Sequence, residues 1–323
     1  MAEPLTINNN EYTIIKKLGE GTYGKVFLVE DKIEKKQNVI KVIQLETIDD
    51  ENIRKRIEDE AKILSQFSKN DNTENNHIIK YIDSEKKNEI LYILMEYCEG
   101  QTLREFINEK KELIEEEIIY GYILDICLGI KTIHDNNIIH RDLKPENLFL
   151  TKDKKNIKIG DFGIARQLDN QKQLVSSKIG TPEYAAEVHD KKNEKYNIKA
   201  DIWSFGCIIY ELFTLKVCFE SGYDLCNKID KKEEKYYLKI DTEKYDVRWE
   251  LLIECMLEKD VKERPNINEI YELIKKKEDI TLNPISNIEE WKKKILDKKE
   301  ILLMRCNSIL NFYLILYSFC NRR

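Results

Sequence analysis

The stretch HRDLKPEN, His140 to Asn147, sets a carboxylate, an ammonium and a carboxamide at short fixed intervals: Asp142, Lys144 two residues on, and Asn147 five residues on. A carboxylate suits accepting a hydroxyl proton, a lysine suits neutralising charge developing on a phosphate, and an amide oxygen suits a hard cation such as Mg2+. Fourteen residues after Asn147, the strand-like run IKIGDFGIA brings Asp161 as a second oxygen ligand for that cation, with Phe162 packing inward. Single pieces carry little information, since a lone His140 is more often a satisfied core histidine and a DFG tripeptide recurs by chance. The ordered set is what phosphoryl transfer requires.

Upstream, LGEGTYGKV places Gly19, Gly21 and Gly24 in a GxGxxG array between two strand-like runs. A dinucleotide fingerprint needs a helix after the glycines, whereas KVFLVED continues as a strand, so the expectation is a hairpin that folds its backbone N–H groups over phosphates, with Val26 against a base. Lys41 lies in the apolar strand VIKVI, where an ammonium needs an anion. Two helix carboxylates compete for it, Glu58 and Glu60. Glu60 is preferred, because it lies between Ile57 and Leu64 on the apolar side and is placed to hold Lys41 over the α- and β-phosphates.

Two kinds of pattern position these residues. From Tyr12 to about Met95, the runs YTIIKKLGEG, KVFLVED, NVIKVIQL, HIIKYID and ILYILMEY read as strands, interrupted by one helix, ENIRKRIEDEAKILSQF, with Ile53, Ile57, Ala61 and Leu64 at helical spacing. From Thr102 onward TLREFINEKKELI, EEEIIYGYILDICLGIKTIHDN, ADIWSFGCIIYELFTL and RWELLIECMLEKD read as helices. The predicted fold class is therefore α+β in two segregated lobes with a crevice between them. The expected divisions are an extension at 1–11, a small lobe at 12–95, a connecting strap at 96–101, a large lobe at 102–275 and a helical appendage at 276–323.

Composition agrees with a folded chain of this size: 323 residues, 41% hydrophobic and 35% charged. A net charge of −6 gives no electrostatic reason to expect a nucleic acid partner. The eight cysteines lack CxxC spacing and read as free thiols, and MAEPLTINNNEY has no apolar core of a secretory leader, so a cytoplasmic location is expected. The apolar window SILNFYLILYSFC near the end is 13 residues long, short of the roughly 20 that span a bilayer. A docked or partner-binding helix is expected there in preference to a membrane anchor; the oligomeric state is left open.

With these motifs in order, the chain resembles the eukaryotic protein kinases from about Tyr12 to Lys275, and HRDLKPEN is similar to the serine/threonine class. The resemblance implies a bilobal kinase fold, ATP and Mg2+ as cofactors, and protein substrates. It implies that Leu18 and Val39 contact the nucleotide, that the Glu96 carbonyl and Cys98 amide bind adenine, that Met95 is the gatekeeper, and that Thr181 bonds near Asp142 and Lys144. Within the family, FLTKDKKNIKIGDFGIARQL, SSKIGTPEY and YNIKADIWSFGCIIYELFTLKVCFESG are similar to the NIMA-related kinases, including the glycine before DFG and Phe149 two after Asn147. The run LYILMEYCEGQTLREFI instead resembles the kinases of a translation initiation factor, but only DSEKKNE stands where those carry a long insert.

Arg141 beside the catalytic aspartate suggests control by loop phosphorylation, with Ser177 at the NIMA-related position and Ser176 its neighbour. Two positions depart from the family. Val39 stands where alanine is usual, and GTPEYAAEV lacks the proline before Glu187, the expected partner of Arg264. A pseudokinase scaffold is the rival from another class, and the retention of Lys41, Asp142, Asn147 and Asp161 argues against it.

Overall fold

The structure is a computed structural model, which describes residues 5–21, 24–69, 77–162, 166–167, 183–184, 198–219, 239–258 and 260–275. The chain divides into two compact units, Met1–Glu272 and Leu273–Arg323, and of the second only 273–275 are among the described residues. The expectations for Ser176, Ser177, Thr181, Glu187 and the appendage from 276 therefore lie outside the described residues.

The N-terminal part is a six-stranded antiparallel sheet, built from β1 (Leu5–Ile7), β2 (Asn10–Gly21), β3 (Gly24–Asp31), β4 (Gln37–Gln44), β5 (Tyr81–Lys87) and β6 (Ile90–Glu96), in the order β1-β2-β3-β4-β6-β5. Helix α1 (Glu51–Lys69) crosses between β4 and β5 in sequence. Its Ile57, Ala61 and Leu64 are buried, as their spacing requires, while the side chain of Ile53 is not described.

Two features depart from the sequence reading. HIIKYID does not form a strand from its start: Ile78 and Ile79 are buried against the other lobe, where Ile78 bridges Ile159 and the Ile79 amide donates to the Ile159 carbonyl at 2.9 Å. The strand begins at Tyr81 and runs through the charged DSEKK, so its ladder is set by backbone pairing to β6 and not by apolar side chains. A turn at Asn88 (φ 48°) and Glu89 (φ 56°) closes the hairpin.

The second departure is β1, which joins the sheet although 1–11 reads as an extension. Asn8 (φ 43°) and Asn9 (φ 71°) form the tight turn to β2. Asn8 then ties this edge to β5: its amide donates to Glu85 Oε2 at 2.9 Å and its Nδ2 to Asp83 Oδ2 at 2.8 Å. The curled sheet encloses Ile7, Tyr12, Val29, Ile40 and Leu94, and Ile7 is fully buried among them. Ile7→Ala is expected to cost about 2–4 kcal/mol in denaturant unfolding, the range of aliphatic truncations in packed cores; a loss below about 0.5 kcal/mol, the size typical of surface changes, would show β1 to be dispensable.

The C-terminal part is helical. Helix α2 (Leu103–Glu109) starts at a capping box, in which Glu105 Oε2 accepts from the Thr102 amide at 2.8 Å and Thr102 Oγ1 accepts from the Glu105 amide at 3.2 Å. It ends earlier than TLREFINEKKELI suggested. The polar NEKKE offers no further apolar stripe, and the chain leaves the helix so that the Ile114 carbonyl can accept from the Tyr245 hydroxyl at 2.7 Å. Helix α3 (Glu116–Asp135) and helix α4 (Lys199–Thr214) form the core of this part, and α4 is buried over nearly all its length. Short helices over Arg248–Met256 and Ile267–Lys275 complete the described α-helices, and two small ladders pair β7 (Ile138–Ile139) with β10 (Arg166–Gln167) and β8 (Leu148–Leu150) with β9 (Ile157–Ile159). This is the expected α+β arrangement of a strand-rich lobe with one helix and a helical lobe. No described helix is long and apolar enough to cross a membrane.

Candidate active site

The β8–β9 hairpin and the loop before it carry the polar residues. At its open end, beyond the Leu148–Ile159 pair, the Gly160 amide donates to the Asn147 carbonyl at 2.9 Å, so Asn147 and Asp161 flank one position. Gly160 is needed there because a Cβ would lie 2.8 Å from the Phe149 ring and 2.9 Å from Ile79. Asn147, 5% exposed, donates from Nδ2 to the Asp142 carbonyl at 2.8 Å and to Asp142 Oδ2 at 3.1 Å, which leaves Oδ1 as its acceptor. Lys144 Nζ lies 2.7 Å from Asp142 Oδ2. Asp142, Lys144 and Asn147 thus form one cluster.

From the other lobe, Lys41 Nζ donates to Glu60 Oε1 at 2.8 Å and Oε2 at 3.1 Å, and to Asp161 Oδ1 at 3.2 Å. Glu60 is 2% exposed. Glu58, the competitor, faces outward and pairs with Lys86 at 3.1 Å. Burial alone would push Lys41 down, but the Glu60 and Asp161 carboxylates outweigh it and hold the ammonium above the usual lysine range. Burial raises the Glu60 carboxyl, and Lys41 pulls against it. Glu60→Gln keeps the shape and removes the charge that aims Lys41. Its kcat/KM for nucleotide is expected to fall about 10- to 100-fold and its melting temperature to fall with it, since the largely buried Lys41 ammonium loses one of its two carboxylates; enzyme kinetics beside a thermal melt would check both.

The strand register places Val26 opposite Lys41, and Val39 opposite Leu28 and Met95, so Val26, Val39, Lys41 and Met95 share one face of the sheet. Leu18 and Gly19 lie on β2 at the approach to the glycine turn, whose residues 22–23 are not described, with Gly21 and Gly24 paired across its base. The strap after β6 is fixed to β8: the Leu150 amide donates to the Gln101 carbonyl at 2.9 Å, and Thr102 bridges Phe149. The side chain of Glu96 accepts from Lys158 Nζ at 2.6 Å and the Lys80 amide at 2.7 Å, contacts separate from the backbone carbonyl expected to meet adenine. Burial, with Glu96 nearby, pushes the Cys98 thiol up to about 12, so it stays protonated.

The loop geometry depends on a residue that the sequence reading passed over. Arg141 (φ 72°) and Asp161 (φ 56°) hold left-handed backbone, a strained state for both. Asp201, buried on α4, accepts from the Arg141 amide at 2.9 Å, the His140 amide at 3.0 Å and His134 Nε2 at 2.9 Å. Burial would raise its carboxyl, but the His134 hydrogen bond and the other donors outweigh it and hold Asp201 below the ordinary aspartate range. His140 donates from Nε2 to the Gly160 carbonyl at 3.0 Å and accepts the Asp142 amide at Nδ1, 3.3 Å. Phe162 is buried between His140 and Phe67 of α1, with ring centroids 4.9 Å and 5.6 Å away. Arg264 is held by the Lys199 and Glu258 carbonyls, at 2.7 and 2.9 Å.

An ammonium held between a helix carboxylate and a half-exposed aspartate, facing a carboxylate, lysine and carboxamide cluster, is a site for a polyanion and a hard cation. Asn147 Oδ1 and Asp161 form an oxygen-only pair, which suits Mg2+, an ion that takes few protein ligands and completes its shell with phosphate and water. The family model for the protein kinase domain matches residues 12–273. Among curated proteins, the chain is 36% identical over 293 residues to serine/threonine-protein kinase Nek1 of Mus musculus, covering 89% of this chain and 23% of that protein. It is 37% identical over 262 residues to serine/threonine-protein kinase Nek5 of Homo sapiens, covering 81% and 36%. To the probable serine/threonine-protein kinase nek2 of Dictyostelium discoideum it is 33% identical over 271 residues, covering 81% and 62%. The chain thus spans less than two thirds of the length of these relatives. It belongs to the protein kinase family, and its resemblance runs to the NIMA-related serine/threonine kinases.

Proposed function

We propose that the chain is a NIMA-related protein serine/threonine kinase, which transfers the γ-phosphate of ATP to serine or threonine hydroxyls of protein substrates. The observation that carries this reading is the convergence of Lys41, Glu60 and Asp161 across the two lobes, with Asn147 and Asp142 tied to the same hairpin end. Lys41 positions the α- and β-phosphates, and Glu60 aims Lys41. Asp142 orients the acceptor hydroxyl and takes its proton, while Lys144 balances charge on the transferred group. Asn147 and Asp161 would hold Mg2+, which would supply neutralisation of charge on the phosphate oxygens. Adenine lies between Val26, Val39 and Phe149, with Leu18 at the edge, Met95 behind it, and the Glu96 carbonyl and Cys98 amide along its rim. Phosphorylation at Ser177 or Ser176, read by Arg141, regulates the site, and Thr181 favours hydroxyl acceptors. A cytoplasmic location belongs to the same reading.

The test is incubation with γ-labelled ATP, Mg2+ and a generic protein acceptor, followed by phosphoamino acid analysis. Label on serine and threonine is the expected result. Label on tyrosine alone, or nucleotide binding without transfer, would overturn it, the second in favour of a scaffold.

A further inference from the structure

Arg104 ties α2 to the catalytic turn by a side-chain ion pair. Its Nε donates to Glu146 Oε1 at 2.7 Å, its Nη1 to Glu211 Oε1 at 2.5 Å, and its Nη2 to Glu211 Oε2 at 3.3 Å and to the Tyr184 hydroxyl. That hydroxyl donates in turn to Glu211 Oε2 at 2.5 Å. Two carboxylates and a phenol from three separate segments therefore converge on one guanidinium.

The two acids differ in depth. Glu211, on the buried α4, is 2% exposed, and a carboxylate at that depth requires a cation. Glu146 is 44% exposed and lies on the catalytic turn itself, between Lys144 and Asn147. The cation that joins them is also within reach of solvent, at 21% exposed. A chain presenting its hydroxyl to Asp142 must pass this turn, since Glu146 follows Asp142 by four residues. Tyr184 follows Thr181 by three, in the stretch read as facing the acceptor. The acidic pair thus borders the acceptor's path, and its geometry is that of a forked site for a guanidinium.

We propose that Arg104 fills from within an acidic subsite that would otherwise take a basic side chain of the substrate protein, so that this chain selects its acceptor without an arginine at that position. The inference rests on the kinase reading above. Arg104 is then a specificity-determining residue, and removing it opens the subsite to an arginine from the substrate.

The experiment compares the parent with Arg104→Ala and Arg104→Met, the second keeping apolar bulk beside α2. Each is assayed on serine peptides with arginine placed at each flanking position in turn. At one flanking position the variants are expected to gain about tenfold in kcat/KM from arginine, the scale of a desolvated charge-assisted pair, and the parent to gain nothing at that same position. The same arginine peptide should raise the melting temperature of the variants and leave that of the parent unmoved. Variants that fold and keep the parent's preference, with no peptide-dependent stabilisation, overturn the proposal. Should neither variant fold, Glu146→Gln in the parent decides: an unchanged preference supports a subsite already filled, and loss of an existing preference for arginine overturns it. The melting readout needs no turnover. A parent that transfers no phosphate therefore counts against the kinase reading, while the subsite still stands or falls on that shift.

Discussion

Asp142→Asn is expected to lower the rate of phosphate transfer by about 10²–10⁴-fold, the usual worth of a positioned proton acceptor, with nucleotide affinity nearly unchanged. The asparagine retains an oxygen that can accept from Asn147 Nδ2, which now bonds both the carbonyl and Oδ2 of Asp142, so the turn should persist. What it loses is the charge that faces Lys144 and the lone pair that would take the hydroxyl proton. The nucleotide is assigned to other groups: Lys41, with its partners Glu60 and Asp161, lies across the crevice. Initial rates with saturating ATP, beside a nucleotide titration, separate the two effects. A variant within about tenfold of the parent would remove Asp142 from the chemistry, because a proton acceptor is worth more than that. A parallel loss of nucleotide affinity would mean that it acts on binding instead.

The residues of the site were legible where chemistry demands a fixed residue type at a fixed interval. Lys41 in an apolar strand called for an anion, and the apolar side of α1 singled out Glu60 over Glu58; the 2.8 Å contact follows that logic. The strands and helices with a buried stripe were legible for the same reason. What escaped was set by partners distant in sequence. Nothing local marks DSEKK as a strand, because its exposed side chains are charged and its ladder is made by β6. Leu5–Ile7 is too short for a period, and its place in the sheet depends on Asn8 meeting Asp83 and Glu85 some 75 residues away. Asp201 and Glu211 did carry a signal. Both are carboxylates inside KADIWSFGCIIYELF, a helix whose other residues are mostly apolar, and each needs donors from elsewhere. The donors proved to be His134, His140 and Arg141 for the first, and Arg104 and Tyr184 for the second.

Asp201→Asn is expected to destabilise the chain by about 3 kcal/mol near neutral pH and to slow transfer as well, although Asp201 has no contact with the proposed reacting groups. Its two oxygens accept three donors, two of them the backbone amides of His140 and Arg141. An asparagine turns an NH2 toward one of these and leaves a buried N–H without an acceptor. The left-handed Arg141, φ 72°, then loses its anchor on Asp201, and Asp142 follows it in the chain. The pH dependence distinguishes a charged acceptor from a merely well-shaped one. The Asp201 pKa is lower folded than unfolded, so at acid pH the unfolded chain binds the extra proton. The stability it contributes is complete above the unfolded value of about 4 and is lost as pH falls below that, through the folded value. Urea unfolding of parent and variant from pH 7 down to pH 3 should therefore show the gap between them narrowing below about pH 4, where the parent loses what the variant never had. A gap that stays constant or widens into acid would mean that the carboxylate charge does not hold this loop.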